Sequence, residues 1–329
     1  MSKKTINIGQ ALGLDASKSD IAARMCQAQV EVPDHSGNPL VPPVDPGYVF
    51  QDRALAEALT FLITPMDDAL MLTGPTGCGK TSLILQIAAR LGWACCSLTA
   101  HEELEFSSLV GQYVMKQGEG SSQPAMQWQY GPLAMAMKYG FLFVLNEQDL
   151  VRPGELSGLN DILEGRPLVI AETGEVIYPH ADFRYICTGN TAGAGDPTGA
   201  YVGTQVQNIA AMDRYRVMEV NYPSADVELD IIEKATGGAI STVADKMVEL
   251  AGHVRTAFQG GEGSSHTLGI TMSTRSLLRW AKLVPFYGNE NNPLRAALDA
   301  ALTRKAMQED KVVIDRLAED VFGEWATNE

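Results

Sequence analysis

The residues best suited to chemistry form one continuous segment, Gly74-Pro75-Thr76-Gly77-Cys78-Gly79-Lys80-Thr81. The segment fits G-x-x-x-x-G-K-[ST], the spacing of a phosphate-binding P-loop, whose glycines let backbone N–H groups turn inward on a polyphosphate. An apolar run precedes it and a predicted helix follows it, and the helix N-terminus adds partial positive charge. The spacing predicts a site for ATP and Mg²⁺, in which Lys80 binds the β- and γ-phosphates and the Thr81 hydroxyl binds the metal.

Hydrolysis of a nucleotide also needs a carboxylate near the γ-phosphate to orient or deprotonate the attacking water. Glu147 meets this need because it follows the apolar run 141–145 at the predicted end of a strand, and it is the predicted catalytic residue. Asn146 stands where the usual pattern has Asp. Its amide carries no charge but can hydrogen-bond a water on Mg²⁺. Asp149 could supply the missing charge, although its side chain points away if that of Glu147 points in.

Two further residues are predicted to approach the same nucleotide. Asn190 ends another predicted strand, between the P-loop and the strand of Glu147, so its side chain could sense the γ-phosphate or hold the water. Arg275 opens a predicted helix that Ser273 or Thr274 could cap, and it could reach back to the nucleotide. A plain exposed arginine is the alternative for Arg275.

An arginine before the last predicted strand suggests a contact between subunits. Arg214 is distant from its own P-loop in sequence, so it is the predicted finger that stabilises charge on the phosphates of a neighbouring subunit. Arg216 is the second choice, and a surface ion pair is the alternative.

Short apolar segments alternate with helical stretches in the first two thirds of the chain. The predicted strands are 69–72, 93–98, 141–145, 183–188 and 217–220. This alternation predicts an α/β fold with a parallel sheet covered on both faces and a ligand at the carboxyl ends of the strands. From residue 223 the pattern becomes that of amphipathic helices, at 225–235, 242–258, 274–284, 293–306 and 314–325, with a mobile loop at 260–265. The predicted domains are an N-terminal arm and linker (1–45), an α/β nucleotide-binding domain (46–222) and a helical lid (223–329).

Composition narrows the class of protein. The 329 residues are 45% hydrophobic, enough for a full core, and the net charge of −15 opposes a nucleic-acid partner. Apolar runs fall short of the ~18 residues of a membrane span. Five cysteines without a CxxC pair favour reduced thiols in the cytoplasm.

The arm is predicted to hold short helices at 6–14 and 22–30, and to bind either a neighbouring subunit or its own domain.

The chain resembles the AAA+ ATPases over about residues 46 to 329. The resemblance lies in the order of its features, which are the P-loop, the acidic strand end, Asn190, Arg214 and Arg275, with a helical lid. Within them the chain is similar to the MoxR-like group, and most closely to the small AAA+ subunit of aerobic cobaltochelatase, the CobS type. The segments that carry the resemblance are Leu109-Val110-Gly111, residues 189–201 with 203–205, Met212-Asp213-Arg214 and the linker 44–50. Residues 6–15 resemble that family more weakly.

The resemblance implies a five-stranded parallel sheet of order 5-1-4-3-2, an insert in the second helix at 112–130 and a hairpin at 168–177. It also implies a hexameric ring. Members commonly act with a partner that bears a von Willebrand factor A domain, and they insert metals or remodel enzymes.

Three functions stay open at the level of sequence. The first is a ring motor that uses ATP hydrolysis on a partner protein, either as a CobS-like chelatase subunit or as a MoxR-type activator of another enzyme. The second is a nucleic-acid motor, which the acidic balance opposes. The third is a scaffold that binds nucleotide without hydrolysis, suggested by Asn146. The five histidines are scattered and indicate no chelating site, so metal chemistry would belong to partners.

Overall fold

The computed structural model describes residues 3–117, 124–196, 199, 201–260 and 268–323. The chain divides into two compact units. The sheet unit comprises Met1–Asp45, Asp52–Gly74 and Lys80–Val220, and the helical unit comprises Pro46–Gln51, Pro75–Gly79 and Asn221–Glu329. The middle of the P-loop therefore makes its contacts with the helical unit, although the chain joins it to the sheet unit at both ends.

The N-terminal arm folds onto the sheet unit. Its elements are β1 (Lys3–Asn7), α1 (Ile8–Leu12), α2 (Asp20–Gln27) and β2 (Gln29–Pro33), and the two strands pair antiparallel. Arg90 donates a hydrogen bond to the carbonyl of Leu12, so the arm packs on its own domain. A helix lies in each of the two ranges predicted to be helical, but residues 6–7 belong to β1 and residues 29–30 to β2. The flanking strands escaped prediction because strand formation depends on a distant pairing partner more than on local propensity.

The rest of the sheet unit alternates strands and helices. In chain order the strands are β3 (Ala69–Thr73), β4 (Cys95–Thr99), β5 (Gly111–Gln117), β6 (Pro124–Tyr130), β7 (Leu142–Asn146), β8 (Leu168–Ile170), β9 (Glu175–Ile177), β10 (Arg184–Thr188) and β11 (Tyr215–Glu219). The helices are α3 (Asp52–Ile63), α4 (Lys80–Leu91), α5 (Phe106–Val110), α6 (Pro132–Tyr139), α7 (Pro153–Leu156), α8 (Asn160–Leu163) and α9 (Ile209–Met212).

Five strands form one parallel sheet in the order β11-β3-β10-β7-β4. Counted along the chain this order is 5-1-4-3-2, which confirms the expected fold class. The strands β3, β7 and β10 are buried along their whole length, as in sheets with helices on both faces. Because the strands are parallel, Thr73, Asn146 and Thr188 end at one edge, and this is the edge where α/β folds bind ligands.

Two antiparallel hairpins lie outside this sheet. The predicted insert 112–130 forms β5 and β6, paired from Gly111 with Tyr130 to Gln117 with Pro124. Residues 118–123 of that insert lie outside the described residues. β8 and β9 form the hairpin expected over 168–177, and its turn contains Gly174 with φ of 72°.

The helical unit contains the amphipathic helices expected from the sequence. They are α10 (Ala225–Thr236), α11 (Ser241–Phe258), α12 (Thr274–Leu283), α13 (Pro293–Ala301) and α14 (Gln308–Phe322). Trp280 is fully buried in their core and its indole N–H donates to the Leu294 carbonyl at 2.8 Å.

Two helix ends in this unit differ from the prediction by five residues or more. α13 stops at Ala301 and not at residue 306, because Leu302 leaves helical geometry. α14 begins at Gln308, six residues before the predicted start, and its polar first turn lacks the apolar periodicity on which the prediction relied. Residues 261–265 of the predicted loop and residues 324–325 of the last predicted helix lie outside the described residues. Across the described chain, no helix is both long enough and apolar enough to cross a membrane.

Candidate active site

The P-loop is the turn between β3 and α4. Gly74, Gly77 and Gly79 have φ of 140°, 69° and 102°, a region of backbone space that favours glycine. Gly74 is also required for space, since a Cβ there would lie 2.1 Å from the carbonyl oxygen of Val220. Because α4 begins at Lys80, a helix N-terminus follows the turn directly, and this arrangement favours a bound phosphate.

Lys80 joins the P-loop to the end of β10. Its Nζ donates to the Gly74 carbonyl oxygen at 2.7 Å and to Oδ1 of Asn190 at 3.1 Å. The structure therefore brings together the lysine predicted to bind phosphate and the asparagine predicted to sense it, although they are 110 residues apart in sequence.

Asn146 is buried, and its side-chain amide is fully paired. Its Oδ1 accepts from the Thr81 hydroxyl at 2.6 Å, and its Nδ2 donates to Ser97 Oγ at 3.0 Å and to the Leu98 carbonyl at 3.1 Å. The Leu98 carbonyl can only accept, which fixes the amide nitrogen on that side. These contacts explain why Asn replaces the usual Asp, since a carboxylate at this position would face a carbonyl oxygen.

Thr81 and Asn146 present the donor chemistry that Mg²⁺ requires. The hydroxyl and the amide oxygen are hard oxygen donors, and Mg²⁺ in nucleotide sites takes few protein ligands while keeping waters and phosphate oxygens. No group of three His, Cys, Asp or Glu side chains in the described residues could hold a metal ion. The residues at this edge therefore fit Mg²⁺ carried by a nucleotide.

Glu147 lies beside Asn146 but is exposed. Its backbone is left-handed, with φ of 57° and ψ of 39°, which costs about 1 kcal/mol or more for a residue other than glycine. Its N–H donates to Thr188 Oγ1 at 3.2 Å, at the end of β10. The carboxylate is thus open to water at the edge where the parallel strands end.

Asp149 does not supply the charge that Asn146 lacks. It is 1% exposed, and its Oδ2 accepts from the backbone N–H groups of Asn190 at 2.7 Å and Thr191 at 3.0 Å. The carboxylate therefore binds the backbone that follows β10.

Both candidate finger arginines form surface ion pairs within their own chain. Arg214 Nε donates to Glu164 at 2.9 Å, and Arg216 Nη2 donates to Asp68 at 2.8 Å. The Arg214 carbonyl accepts from the N–H of Ala69, the first residue of β3, at 3.1 Å. The P-loop follows the opposite end of that strand, about 16 Å away at ~3.3 Å per residue.

Arg275 belongs to the helical unit and is exposed at the start of α12. Of the two candidate caps it is Ser273 that caps this helix, accepting from the N–H of Ser276 at 3.1 Å. Within the same unit, a Cβ at Gly77 would lie 2.6 Å from Ser273 Cβ and 3.7 Å from Arg275 Cβ. The start of α12 therefore packs against the P-loop glycine.

A buried ion pair that the sequence did not reveal holds this helix start. Arg255 donates to both carboxylate oxygens of Glu228, at 2.8 Å and 2.7 Å, and to the Met272 carbonyl at 2.7 Å. The Thr274 hydroxyl donates to Glu228 at 2.7 Å. No spacing motif signals such a pair, because its members lie on different helices.

Gln148 forms a second network that the sequence did not reveal. It accepts from the Tyr185 hydroxyl at 2.7 Å and donates to the Tyr215 hydroxyl at 3.2 Å. Burial raises the pKa of both tyrosines, so they stay protonated. The network ties the residue after Glu147 to β10 and to the residue after Arg214.

Comparison with known proteins places these features in context. Residues 69–200 match the AAA domain of the dynein-related subfamily, and residues 228–321 match the C-terminal domain of CbbQ, NirQ and NorQ. The chain is 31% identical over 294 residues to the aerobic cobaltochelatase subunit CobS of a Sinorhizobium species, covering 87% of this chain and 82% of that protein. It is 29% identical over 264 residues to the protein NorQ of Paracoccus denitrificans, covering 78% of this chain and 87% of that one.

Proposed function

The chain belongs to the MoxR-like AAA+ ATPases and hydrolyses ATP, and we propose that it forms a hexameric ring that uses this hydrolysis to remodel or activate a partner protein. Within that class we propose the role of a motor subunit of a CobS-like metal chelatase.

The position of Arg214 is the observation that supports the proposed ring. This arginine lies at the end of β3 opposite the P-loop, and its side chain is paired at the surface with Glu164. An arginine so placed is suited to the nucleotide of an adjacent subunit, and a head-to-tail interface that repeats in this way forms a ring when the rotation between subunits closes.

The residues of one subunit divide the work of hydrolysis. Lys80 holds the β- and γ-phosphates, and its contact with Asn190 keeps that amide next to the γ-phosphate. Glu147 orients the attacking water and removes its proton, while Asn190 holds the water in line with the bond to be broken. Arg214 of the adjacent subunit then neutralises charge that grows on the phosphates.

Thr81 and Asn146 would hold Mg²⁺, which when bound neutralises phosphate charge. Arg275, in the helical unit, would respond to the nucleotide through the P-loop turn. The Ser273 cap and the Glu228 network fix the start of its helix.

Partner binding is proposed for the β5–β6 hairpin. Tyr113, Met115 and Met126 are exposed there, between 45% and 66%, and large apolar side chains in this state commonly mark contact sites. The expected partner is a protein with a von Willebrand factor A domain.

The chelatase role rests on the similarity to CobS over most of both chains. In this role a partner would bind the metal, since the described residues offer no cluster for it. The second candidate is a MoxR-type activator of another enzyme, which the match to the CbbQ, NirQ and NorQ C-terminal domain favours. We propose a cytoplasmic location, which the five free thiols support.

A trapping experiment tests the proposal. The Glu147→Gln variant should bind ATP without hydrolysis and hold its partners on an ATP-filled ring, so a tagged copy is recovered from the native host with ATP and analysed by mass spectrometry. The control combines Glu147→Gln with Lys80→Ala, which should abolish nucleotide binding and the trapped complex.

The recovered proteins distinguish the two roles. A von Willebrand factor A protein together with a tetrapyrrole-binding subunit supports the chelatase motor. A von Willebrand factor A protein with a different enzyme supports the activator and removes the chelatase role. A monomer by light scattering in the presence of ATP and Mg²⁺ would overturn the ring.

A further inference from the structure

We propose that Asp149 is a positioning residue for ATP hydrolysis, which holds the Asn190 side chain at the γ-phosphate by fixing the backbone of the segment that carries it. The proposal rests on the role given to Asn190 above. It concerns hydrolysis by the chain itself and is independent of the identity of any partner.

The side chain of Asp149 binds the first two residues after Gly189. Its Oδ2 accepts from the N–H of Asn190 at 2.7 Å and from the N–H of Thr191 at 3.0 Å, and the Thr191 hydroxyl adds a third donor at 3.3 Å. Hydrogen bonds from N–H groups to an ionised carboxylate are stronger than those to a neutral acceptor. Asn190, whose Oδ1 accepts from Lys80 at 3.1 Å, is thus held from its backbone side by Asp149.

The backbone around Asp149 also binds residues further along the chain, at Gln205 and Gln207. The carbonyl of Asp149 accepts from the N–H of Gln205 at 2.7 Å, and the Val151 carbonyl accepts from Gln207 Nε2 at 3.2 Å. The turn after Glu147 therefore holds both ends of the chain between Asn190 and Gln207. The residues after Gln207 lead into α9 and then to Arg214. The same turn therefore supports Asn190, which is assigned to the nucleotide of its own subunit, and Arg214, which is assigned to the nucleotide of the adjacent subunit.

The fit around the Asp149 carboxylate is tight. A Cβ at Gly189 would lie 3.2 Å from Asp149 Cγ and from its Oδ2, closer than ordinary van der Waals contact. Gly189 therefore leaves room for the carboxylate to approach the two N–H groups, and movement of Asp149 would displace Asn190 directly.

The other carboxylate oxygen indicates that Asp149 does more than fill space in the core. Oδ1 of Asp149 is buried and has no hydrogen-bond partner among the described residues. Burying an unpaired oxygen of a carboxylate is unfavourable, and an apolar side chain would avoid it. We attribute its presence to the need for an acceptor oxygen at the two N–H groups, which no apolar side chain supplies.

The test is a double-mutant cycle on the full chain, measuring kcat and KM for ATP together with nucleotide affinity. Asp149→Ala should lower kcat by at least about tenfold, because small displacements of a positioned group are costly to the rate, while nucleotide affinity changes by less than about threefold. Asp149→Asn keeps an oxygen that can accept from both N–H groups and should restore kcat to within about threefold of the wild type. Thr191→Val removes only the third donor and is the matched control, with kcat close to the wild type.

The decisive comparison uses Asn190→Ala. If Asp149 acts through Asn190, then Asp149→Ala should lower kcat no further in the Asn190→Ala background. Effects that multiply in the double variant, or a kcat of Asp149→Ala within twofold of the wild type, would overturn the proposal. If Asp149→Ala lacks a cooperative unfolding transition, the same cycle is completed with Asp149→Leu, which fills the space without offering an acceptor oxygen, and multiplying effects again refute the proposal.

Discussion

The placement of Arg214 gives the strongest prediction about assembly. Arg214→Ala should leave the affinity for ATP nearly unchanged and lower kcat by at least about 100-fold, since an arginine finger contacts the phosphates only when charge develops on them. The size of the loss in kcat distinguishes an arginine that acts on the nucleotide of its own subunit from one that acts on the nucleotide of a neighbour. At about 16 Å along the buried strand β3, with an effective dielectric constant of ~20, one unit charge contributes ~1 kcal/mol, about a sixfold effect on its own nucleotide. A direct contact with a neighbour's phosphates contributes ~2.7 kcal/mol or more for a 100-fold effect.

A mixing assay tests this reasoning without a structure of the ring. Lys80→Ala subunits keep Arg214 but cannot bind nucleotide, and Arg214→Ala subunits bind nucleotide but lack the finger. In an equal, random mixture about a quarter of the interfaces join an intact site to an intact finger, so the ATPase rate should recover to about a quarter of the wild-type rate.

The matched control is Arg166→Ala, which removes another exposed arginine paired with Glu164, at 2.9 Å. Its kcat should stay within twofold of the wild type, because a surface ion pair of this kind contributes little. The reasoning fails if Arg214→Ala hydrolyses ATP normally, or if the mixture shows no more activity than the two variants measured separately.

Three further predictions concern buried groups. Asn146→Asp should not tighten Mg²⁺ binding and should lower the melting temperature, because the new carboxylate would lie about 3 Å from the Leu98 carbonyl; calorimetry and Mg²⁺ titrations of the ATPase check this. Glu228→Gln should lower the free energy of unfolding by about 3 kcal/mol in urea titrations, because it leaves the Arg255 side chain, which is only 12% exposed, without its buried counter-charge. An unchanged urea midpoint would show that the ion pair does not contribute to stability. Burial raises the pKa of the Cys95 thiol from 9.0 to about 12, so the unfolded chain loses this proton first and stability falls as the pH rises above 9. At pH 10 the wild type should have lost about 1.4 kcal/mol that Cys95→Ala does not lose, and parallel losses in both proteins would contradict the assigned cause.

Local sequence patterns sufficed where a residue's role depends on its immediate neighbours. The P-loop spacing places three glycines where φ must be positive, and the buried apolar runs before Gly74, Asn146 and Gly189 each end a strand of one parallel sheet. The order of that sheet came from the family resemblance. The exact helix ends at Ala301 and Gln308 did not follow from periodicity, since polar first turns and local backbone changes carry little periodic signal.

Contacts between distant segments required the folded chain. The sequence presented Asp149 as a substitute for a missing charge, whereas folding directs its carboxylate to the N–H groups of residues 41 and 42 positions away. Likewise the sequence showed Asn146 only as an uncharged residue in the usual place of Asp. The Leu98 carbonyl, 48 residues away, accepts from its amide nitrogen, a contact that a carboxylate cannot make.

The sequence by itself determined the chemistry available to this protein, because a phosphate-binding turn, a strand-end carboxylate and their order along the chain are local properties of residue type and spacing. Only the tertiary structure decided how that chemistry is arranged: that Lys80 donates to Asn190, that Asp149 accepts from the backbone N–H of Asn190, and that Arg214 lies a full strand length from its own P-loop. The physical reason is that hydrogen bonds and distances between side chains depend on which strands become neighbours, and neighbouring strands in a parallel sheet are far apart in sequence.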